Sequence, residues 1–598
     1  MPNIINQRDL DFLVYEFFNC EALTERERYT EHNRETFDAT IDLARRIAED
    51  KFMPIQKKVD EVEPTFDGET VTMVPEIKDA IDTVIQSGLG ATTADFELGG
   101  MQLPYVVSSA AYSYLTAAAS TTLGYVGLTN ANANLIEAHG TAEQIEKWVV
   151  PMRDGRFAGT MAMTEPGAGS GLADLTTTAD RAEDGTYRIR GSKIFISGGD
   201  HEISDNIVHL VLARIKGAPK GVKGISLFIV PKFMVNDDGT VGERNDVALS
   251  GLWHKMGGRG HTSTSLSFGE KGGAIGYLVG EEHHGLKYMF HMMNEARILV
   301  GTGAACTALI GYQYSLDYAK ERLQGRLLSN KNPESAPVPI IKHTDVKRML
   351  LTQKAYAEGA FTLCLYGSSL YEDEKTAETQ EQRDKASLLL DFLTPIIKTW
   401  PSEYGPKAND LAIQVLGGHG YMNEHPVEMY YRDNRLNPIH EGTTGIQSLD
   451  LLGRKVPMNG FAGYQAMLAE MRSTIEAEQA RLPEQCDALA RAIARLEETT
   501  TALMTVAATE NPDLAMANSV EYLDFFGNVV VAWVWLKMGA VASKGLDHLS
   551  HDSDEAFYRG KLQAMKFFFE YQLPKVYASA DLLCSANRTT FDMQEDWF

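Results

Sequence analysis

In the sequence MAMTEPGAGSG at residues 161–171, an apolar segment typical of a strand enters a glycine-rich turn, and the pattern of the chain changes on either side of it. Before about residue 155, the apolar residues recur at helical spacing. After it, apolar runs of strand length continue to about residue 280, and Asp184-Gly185 is a strong hairpin signal. The sequence therefore predicts a compact β domain inserted between helical regions.

Helical periodicity returns at about residue 281 and continues to the end of the sequence. Two polar segments, residues 329–339 and 372–385, are predicted surface loops. The predicted fold class is mainly α with an inserted β domain. We predict four domains: an N-terminal helical domain at residues 1–155, a middle β-barrel-like domain at 156–280, a helical bundle at 281–455 and an additional C-terminal helical domain at 456–598.

Composition disfavours several classes of function. The 598 residues carry 56 Lys and Arg against 81 Asp and Glu, and the net charge of -25 repels polyanions such as nucleic acids. The longest apolar run near the C-terminal end, residues 529–536, is too short to span a bilayer, and the N-terminus lacks signal-peptide features. The five cysteines are scattered without a CxxC pair, so we predict no metal site and a cytoplasmic location.

Three motifs offer places for an anionic or planar ligand. In residues 161–171, the glycines allow close backbone approach and Ser170 adds a donor, which suits a phosphate as well as a plain surface turn. Phe195 and Ser197 end a predicted strand, where they either contact a planar ring or pack in the core. At residues 414–421, a helical pattern ends in glycines, which indicates a helix C-cap and permits a phosphate cradle.

A fourth motif places a carboxylate beside a helix start. The apolar pattern predicts a helix that begins near Thr444, with Thr443 or Thr444 as its N-cap. Glu441 precedes this helix, either as a carboxylate that complements the helix dipole or as a base held on a short loop. His440 has no partner at metal-ligand spacing, which favours a packing or hydrogen-bonding role.

Together, the order and spacing of these motifs resemble the acyl-CoA dehydrogenase family over roughly residues 40–455. Three segments match nearly letter for letter: TEPGAGS at 164–170, GGHGY at 417–421 and EGT at 441–443. The length and the extra C-terminal region resemble the larger bacterial branch of that family. That branch includes fatty acyl-CoA dehydrogenases and 3-methylmercaptopropionyl-CoA dehydrogenases.

The resemblance implies FAD-dependent oxidation of an acyl-CoA thioester to the trans-2-enoyl-CoA, with Glu441 as the catalytic base that removes the α-proton. The substrate-binding residues that it implies are Ser170, Arg297, Glu441 and Gly442. The implied flavin-binding residues are Met161, Met163, Thr164, Gly169, Ser170, Phe195, Ser197, Arg322, Gln414, Gly417, Gly418 and Thr443. Because Arg322, Gln414, Gly417 and Gly418 are expected to contact the FAD of a neighbouring subunit, the resemblance also implies at least a homodimer.

The chain departs from the family pattern at several of these positions. Phe195 stands where the family usually has Trp, Ser197 where it has Thr, and Gly445 where Gln is common. The segment after Arg322 lacks the usual Phe. Some members carry their base on the helix before Arg297 instead, but at that position this chain has Ala296, which supports Glu441.

The expected substrate is a saturated medium- to long-chain fatty acyl-CoA, with 3-methylmercaptopropionyl-CoA as the alternative, and the expected electron acceptor is an electron-transfer flavoprotein. An acyl-CoA oxidase shares the same motifs. A non-enzymatic, DNA-associated alkylation-response relative is a further alternative, which the acidic charge and the intact Glu441 disfavour. Because CoA is anionic, its binding site needs basic residues, for which Lys255, Arg259 and residues of the C-terminal domain are all candidates.

Overall fold

The computed structural model describes residues 3–119, 121–330, 332–549 and 552–598. Its longer helices, together with the short helix that follows Glu441, are α1 Arg34–Ile47, α2 Glu76–Gln86, α3 Tyr105–Ala119, α4 Gly124–His139, α5 Gly285–Glu321, α6 Thr344–Thr376, α7 Gln380–Leu416, α8 Val427–Asn434, α9 Thr444–Leu449, α10 Met458–Glu478, α11 Pro483–Thr509, α12 Ser519–Leu546, α13 Asp552–Phe567 and α14 Val576–Cys584. The prediction of a mainly helical chain with one inserted β domain is confirmed.

The β domain is built on one sheet of eight strands. These are β1 Phe157–Ala162, β2 Thr178–Arg181, β3 Tyr187–Ser197, β4 Asn206–Ile215, β5 Ile225–Pro231, β6 Val247–Leu252, β7 Ser263–Phe268 and β8 Ala274–Leu278. Their order is β6-β7-β3-β8-β5-β4-β1, and β2 pairs with both β3 and β4. Strands β3, β8, β5, β4 and β2 therefore form a closed ring, which is the predicted barrel-like arrangement.

Two sequence signals explain the strand positions. Arg181 pairs with Tyr187 across the predicted Asp-Gly turn, where Gly185 has a φ of 81° that glycine adopts without strain. Strand β5 is buried along its whole length and β4 along nearly all of it, so both strands are apolar runs without alternation. Shorter paired strands lie at Thr65–Phe66 with Val71–Thr72 and at Phe233–Val235 with Val241–Arg244.

Internal contacts group the chain into two compact units. One comprises Met1–Asn33, Tyr105–Ser113 and Val300–Phe598, and the other comprises Arg34–Pro104 and Tyr114–Leu299. The first unit contains α6 to α14 and the second contains the whole eight-stranded sheet. The division into four domains stays a prediction.

Two sequence interpretations need correction or extension. The surface loop predicted at residues 372–385 is wrong, because α6 and α7 cover most of it and only Ala377–Thr379 lies between them. Residues 529–536, which the sequence shows as a short apolar run, are part of the 28-residue helix α12, and this helix is long and apolar enough to span a membrane. Because 89% of its most apolar window is buried inside the structure, α12 has the burial that is typical of a core helix.

Candidate active site

The glycine-rich turn is anchored by a buried ion pair. Lys193 on β3 donates to Glu165 Oε1 at 2.9 Å and to the carbonyl of Met163 at 3.0 Å, and the Lys193 and Glu165 side chains are 0% and 2% exposed. Glu165 also accepts from the backbone N–H groups of Thr176 and Thr177. Burial raises the pKa of Glu165, but Lys193 and these hydrogen bonds outweigh it and lower the pKa to about 2. The pair therefore fixes the backbone of the turn.

Beyond this anchor, the turn presents backbone and small side chains to solvent. Glu165 and Ala168 exchange backbone hydrogen bonds at 3.0 and 3.1 Å, which closes a tight turn. Gly169 and Ser170 are exposed, and a Cβ added to Gly167 would meet no atom within 4 Å. The turn thus has open space beside it for an anionic group.

Phe195 is held outside the core. Its φ of 57° lies in the left-handed region, its side chain is 55% exposed, and its ring centroid lies 4.9 Å from that of Trp253. Core packing, the alternative interpretation of Phe195, is therefore wrong. Trp253, which follows β6, was not singled out from the sequence, because its neighbour Phe195 comes from a different part of the chain. The two rings form an exposed aromatic surface.

Hydrogen bonds bring the predicted flavin residues of the β domain together. The Ile194 N–H donates to the carbonyl of Thr164 at 2.9 Å, and Thr160 Oγ1 donates to the carbonyl of Ser197 at 2.6 Å. The end of β1 and the residues just after it are thus bonded to the end of β3, which carries Phe195 and Ser197. This first segment carries the half-buried side chains of Met161, Met163 and Thr164.

Glu441 lies in the segment that joins α8 to α9. We define the carboxylate loop as residues 437–444, the last of which is the first residue of α9. Glu441 and Gly442 have φ values of 52° and 87°, so two successive residues adopt left-handed backbone. This conformation is unfavourable for a residue with a Cβ. A Cβ on Gly442 would also lie 2.6 Å from Gln447 Nε2, so the loop needs glycine at this position.

Three buried donor contacts hold the carboxylate loop. Lys398 on α7 donates to the carbonyls of Asn437 and Gly442 at 2.7 and 2.8 Å. Gln447 Nε2 donates to the carbonyl of Glu441 at 2.9 Å. The side chains of Lys398 and Gln447 are fully buried, whereas Glu441 itself is half-buried. The carboxylate is therefore presented by a backbone that is fixed on both sides.

The helix after the loop begins where the sequence predicts. Thr443 is the N-cap of α9, and its Oγ1 accepts from the Ile446 N–H at 3.3 Å. Thr444 donates to Glu403 on α7 at 2.5 Å, which links the same long helix to the loop a second time. Sequence reasoning missed Lys398 and Glu403, because each acts on a segment about 40 residues further along the chain.

The residues predicted to serve a neighbouring subunit lie on exposed surface. Gln414 near the end of α7, residues 417–418 beyond it and Arg322 after α5 are all exposed. Gly417 has a φ of 60° and ends α7, as its pattern predicts, and an added Cβ at either glycine would meet no atom within 4 Å. The Tyr318 hydroxyl bonds to His419 Nδ1 at 2.7 Å, which joins the end of α5 to this turn.

The basic residues predicted from the sequence differ in their burial and in the backbone groups that they contact. Arg297, on α5, is only 4% exposed. Lys255 donates to two backbone carbonyls in residues 258–261, and Arg259 donates to the carbonyls of Lys255 and Asp60, each at 3.2 Å. These contacts hold Lys255 within its own loop and hold Arg259 against both that loop and residue 60, so the structure gives no separate support for either as a CoA-binding residue.

Comparison with known families assigns almost the whole chain. Models described as the N-terminal, middle and C-terminal domains of acyl-CoA dehydrogenase match residues 34–156, 160–270 and 283–456. A model described as acetyl-CoA dehydrogenase C-terminal like matches residues 467–594.

Similar proteins extend over the full length. The chain is 34% identical to the 3-methylmercaptopropionyl-CoA dehydrogenase of Ruegeria pomeroyi, over 95% of each protein. It is 32% identical to the broad-specificity linear acyl-CoA dehydrogenase FadE5 of Mycobacterium tuberculosis, over 99% of each. The fold is similar to that of an acyl-CoA dehydrogenase from Bacillus anthracis complexed with FAD, with a TM-score of 0.73 at 20% identity over 92% of this chain and 88% of that one. The chain therefore belongs to the acyl-CoA dehydrogenase family, whose members are FAD-dependent oxidoreductases.

Proposed function

We propose that this protein converts a linear, saturated acyl-CoA to the trans-2-enoyl-CoA and that Glu441 is the catalytic base. The observation that best supports this proposal is the carboxylate loop. Its strained backbone is held by Lys398 and Gln447, and it presents the half-buried carboxylate of Glu441. Backbone strain of this kind persists where the surroundings over-determine it, and it clusters at active sites.

The chemistry explains why such a loop is needed. An α-proton of a thioester is weakly acidic, so a base must be held in reach of it while charge develops on the thioester oxygen. We propose that the Glu441 carboxylate takes the proton and that the Glu441 backbone N–H, beside Gly442, donates to the thioester oxygen. FAD, when bound, would supply the redox chemistry as the acceptor of the β-hydrogen as a hydride.

The residues of the β domain fit a flavin. An exposed aromatic surface at Phe195 and Trp253 suits a planar ring, and the open glycine turn suits a phosphate. We propose that the flavin is held there by Met161, Met163, Thr164, Gly169, Ser170, Phe195 and Ser197.

We further propose that FAD sites are shared within a homodimer or larger homo-oligomer. The exposed glycines at 417–418, with Gln414 and Arg322, would contact the flavin of a neighbouring subunit, and Thr443 would help to hold the adenine-side phosphates of FAD. Since the glycines have open space around them, a phosphate or ribityl chain can approach their backbone closely.

For the substrate, we propose a straight-chain acyl group of medium to long chain, bound as its CoA thioester with Ser170 and Arg297 among the binding residues. The name of the mycobacterial relative supports a linear acyl-CoA, and 3-methylmercaptopropionyl-CoA is the second candidate because of the relative from Ruegeria. We propose an electron-transfer flavoprotein as the electron acceptor and the cytoplasm as the location.

The test replaces the base. Glu441→Gln should retain FAD and bind acyl-CoA but lose about 10²–10⁴-fold in the rate of flavin reduction, the usual contribution of one proton-transfer group. Glu295→Gln is the control, since Glu295 is a buried carboxylate outside the carboxylate loop and accepts a hydrogen bond from Asn134. Its turnover should stay within about threefold of wild type. Full activity in Glu441→Gln would overturn the assignment of the base.

A further inference from the structure

Helix α7 carries a lysine whose charged end reaches the carboxylate loop from inside the protein. Lys398 is fully buried, and its ammonium donates to the carbonyls of Asn437 and Gly442 at 2.7 and 2.8 Å. These two carbonyls lie on either side of Glu441 in the sequence. One side chain therefore closes the loop that carries the carboxylate.

Gln447 supplies a second constraint on the same loop. It is fully buried on α9 and donates to the carbonyl of Glu441 itself at 2.9 Å. The left-handed backbone of Glu441 is unfavourable on its own, so it needs such contacts to persist. With Lys398, three carbonyls of a single short loop are held by two buried side chains.

We propose that Lys398 is a positioning residue for the Glu441 carboxylate and that Gln447 completes the same support. This inference rests on the proposed role of Glu441 as the base. Lys398 contacts the backbone carbonyls on either side of Glu441, so its loss displaces the carboxylate without removing it. A displacement of about 1 Å at a reacting group is enough to lower a rate about 10²-fold.

The kinetic pattern distinguishes positioning from general damage. Removal of an interaction that matters only in the transition state lowers kcat and leaves KM nearly unchanged. We expect the full-length, FAD-loaded Lys398→Met enzyme to lose about 10- to 100-fold in kcat, with KM for acyl-CoA within about threefold of wild type. Its flavin content should match that of the wild type.

The matched control is Lys455→Met. Lys455 is also a buried lysine in the same compact unit, 2% exposed, but its ammonium pairs with Asp391 instead of the carboxylate loop. Its kcat per bound FAD should stay within about threefold of wild type. A loss of kcat in Lys398→Met no greater than that in Lys455→Met would overturn the positioning role.

A double variant separates positioning of the carboxylate from a purely structural role of Lys398. In the Glu441→Gln background, Lys398→Met should cause no further fall in the rate of anaerobic flavin reduction, because there is no base left to position. Losses that multiply would overturn the inference. If Lys398→Met does not yield folded holoenzyme, Gln447→Leu decides the question, since it should lower kcat with KM unchanged, and a wild-type kcat would overturn the inference.

Two failures remain distinguishable. If Glu441→Gln keeps full activity, the proposed base is wrong and the positioning role falls with it. If Glu441→Gln loses turnover while Lys398→Met behaves like Lys455→Met, the base stands and only the positioning role of Lys398 is wrong.

Discussion

The ion pair between Lys193 and Glu165 gives the sharpest prediction about stability. Lys193→Met leaves the Glu165 carboxylate in a site where it is 2% exposed, and breaking a buried pair from one side typically costs about 3–5 kcal/mol. Glu165 keeps its hydrogen bonds from Thr176 and Thr177, which places the cost at the lower end, about 3 kcal/mol. Equilibrium urea unfolding of the apoprotein, followed by circular dichroism, measures the change.

Arg190→Met is the control for this variant. Arg190 lies on the same strand and pairs with Asp180 at 2.8 Å, but both side chains are about 40% exposed, so the pair contributes less than about 1 kcal/mol. If Lys193→Met loses no more stability than Arg190→Met, breaking the buried pair costs no more than breaking an exposed one, and the prediction is wrong. A double variant, Lys193→Met with Glu165→Gln, that is much less stable than Lys193→Met alone would also contradict the prediction, since removing both charges relieves the buried one.

The ion pair between Lys193 and Glu165 also makes the free energy of unfolding depend on pH under acidic conditions. The pKa of Glu165 is about 2 in the folded protein against 4.5 ordinarily, a difference of about 3 kcal/mol between the two protonation states. Because the folded-state pKa is the lower one, this stability is fully present above pH 4.5 and is lost as the pH falls towards 2. Glu165→Gln should therefore flatten the dependence of unfolding free energy on pH in that window. An unchanged slope would contradict the assignment.

Three further predictions concern the site and the thiols. Gly442→Ala should lower the free energy of unfolding by about 1–3 kcal/mol, because residue 442 has left-handed backbone, and it should also lower kcat. Gly445→Ala is the control: its added Cβ would lie 3.9 Å from Thr443 Oγ1, an ordinary contact, so thermal unfolding and turnover assays should show little change. Phe195→Gly should fold at least as stably as wild type, since it relieves a left-handed residue, but should bind FAD more weakly by flavin titration; unchanged affinity would exclude the aromatic surface as a flavin contact. Iodoacetamide at pH 8 should modify only Cys584 in the native protein, by mass spectrometry, because the other cysteines are buried and burial raises the pKa of Cys364 to about 12.

The sequence predicted the features that depend on neighbouring residues. Periodicity separates the β domain from the helices, and the Asp184-Gly185 turn gives the pairing of β2 with β3. The helix start at Thr444 and the helix end at Gly417 follow from local capping chemistry. The resemblance to the acyl-CoA dehydrogenase family over roughly residues 40–455, stated from a few short motifs, is confirmed by family models that match between residues 34 and 456.

Features that depend on distant contacts could not be predicted in this way. Lys193 and Glu165 meet because the ends of two strands lie side by side, and Lys398 reaches Gly442 across 44 residues of sequence. The positive φ of Phe195, whose ring is exposed, occurs at a register shift in the pairing of β3 with β7, so it depends on a strand that lies about 70 residues further along the chain. The roles of individual site residues stay predictions until they are tested by substitution.

The most direct test of the central claim is an anaerobic titration of the FAD-loaded protein with straight-chain saturated acyl-CoAs of graded length, followed through the absorbance band of oxidised flavin. We predict that a medium- or long-chain acyl-CoA bleaches the band rapidly in the wild-type protein, and that the same ligand binds Glu441→Gln but bleaches it at least 10²-fold more slowly. A wild-type flavin that no acyl-CoA bleaches, or a Glu441→Gln protein that is bleached as fast as wild type, would contradict the account.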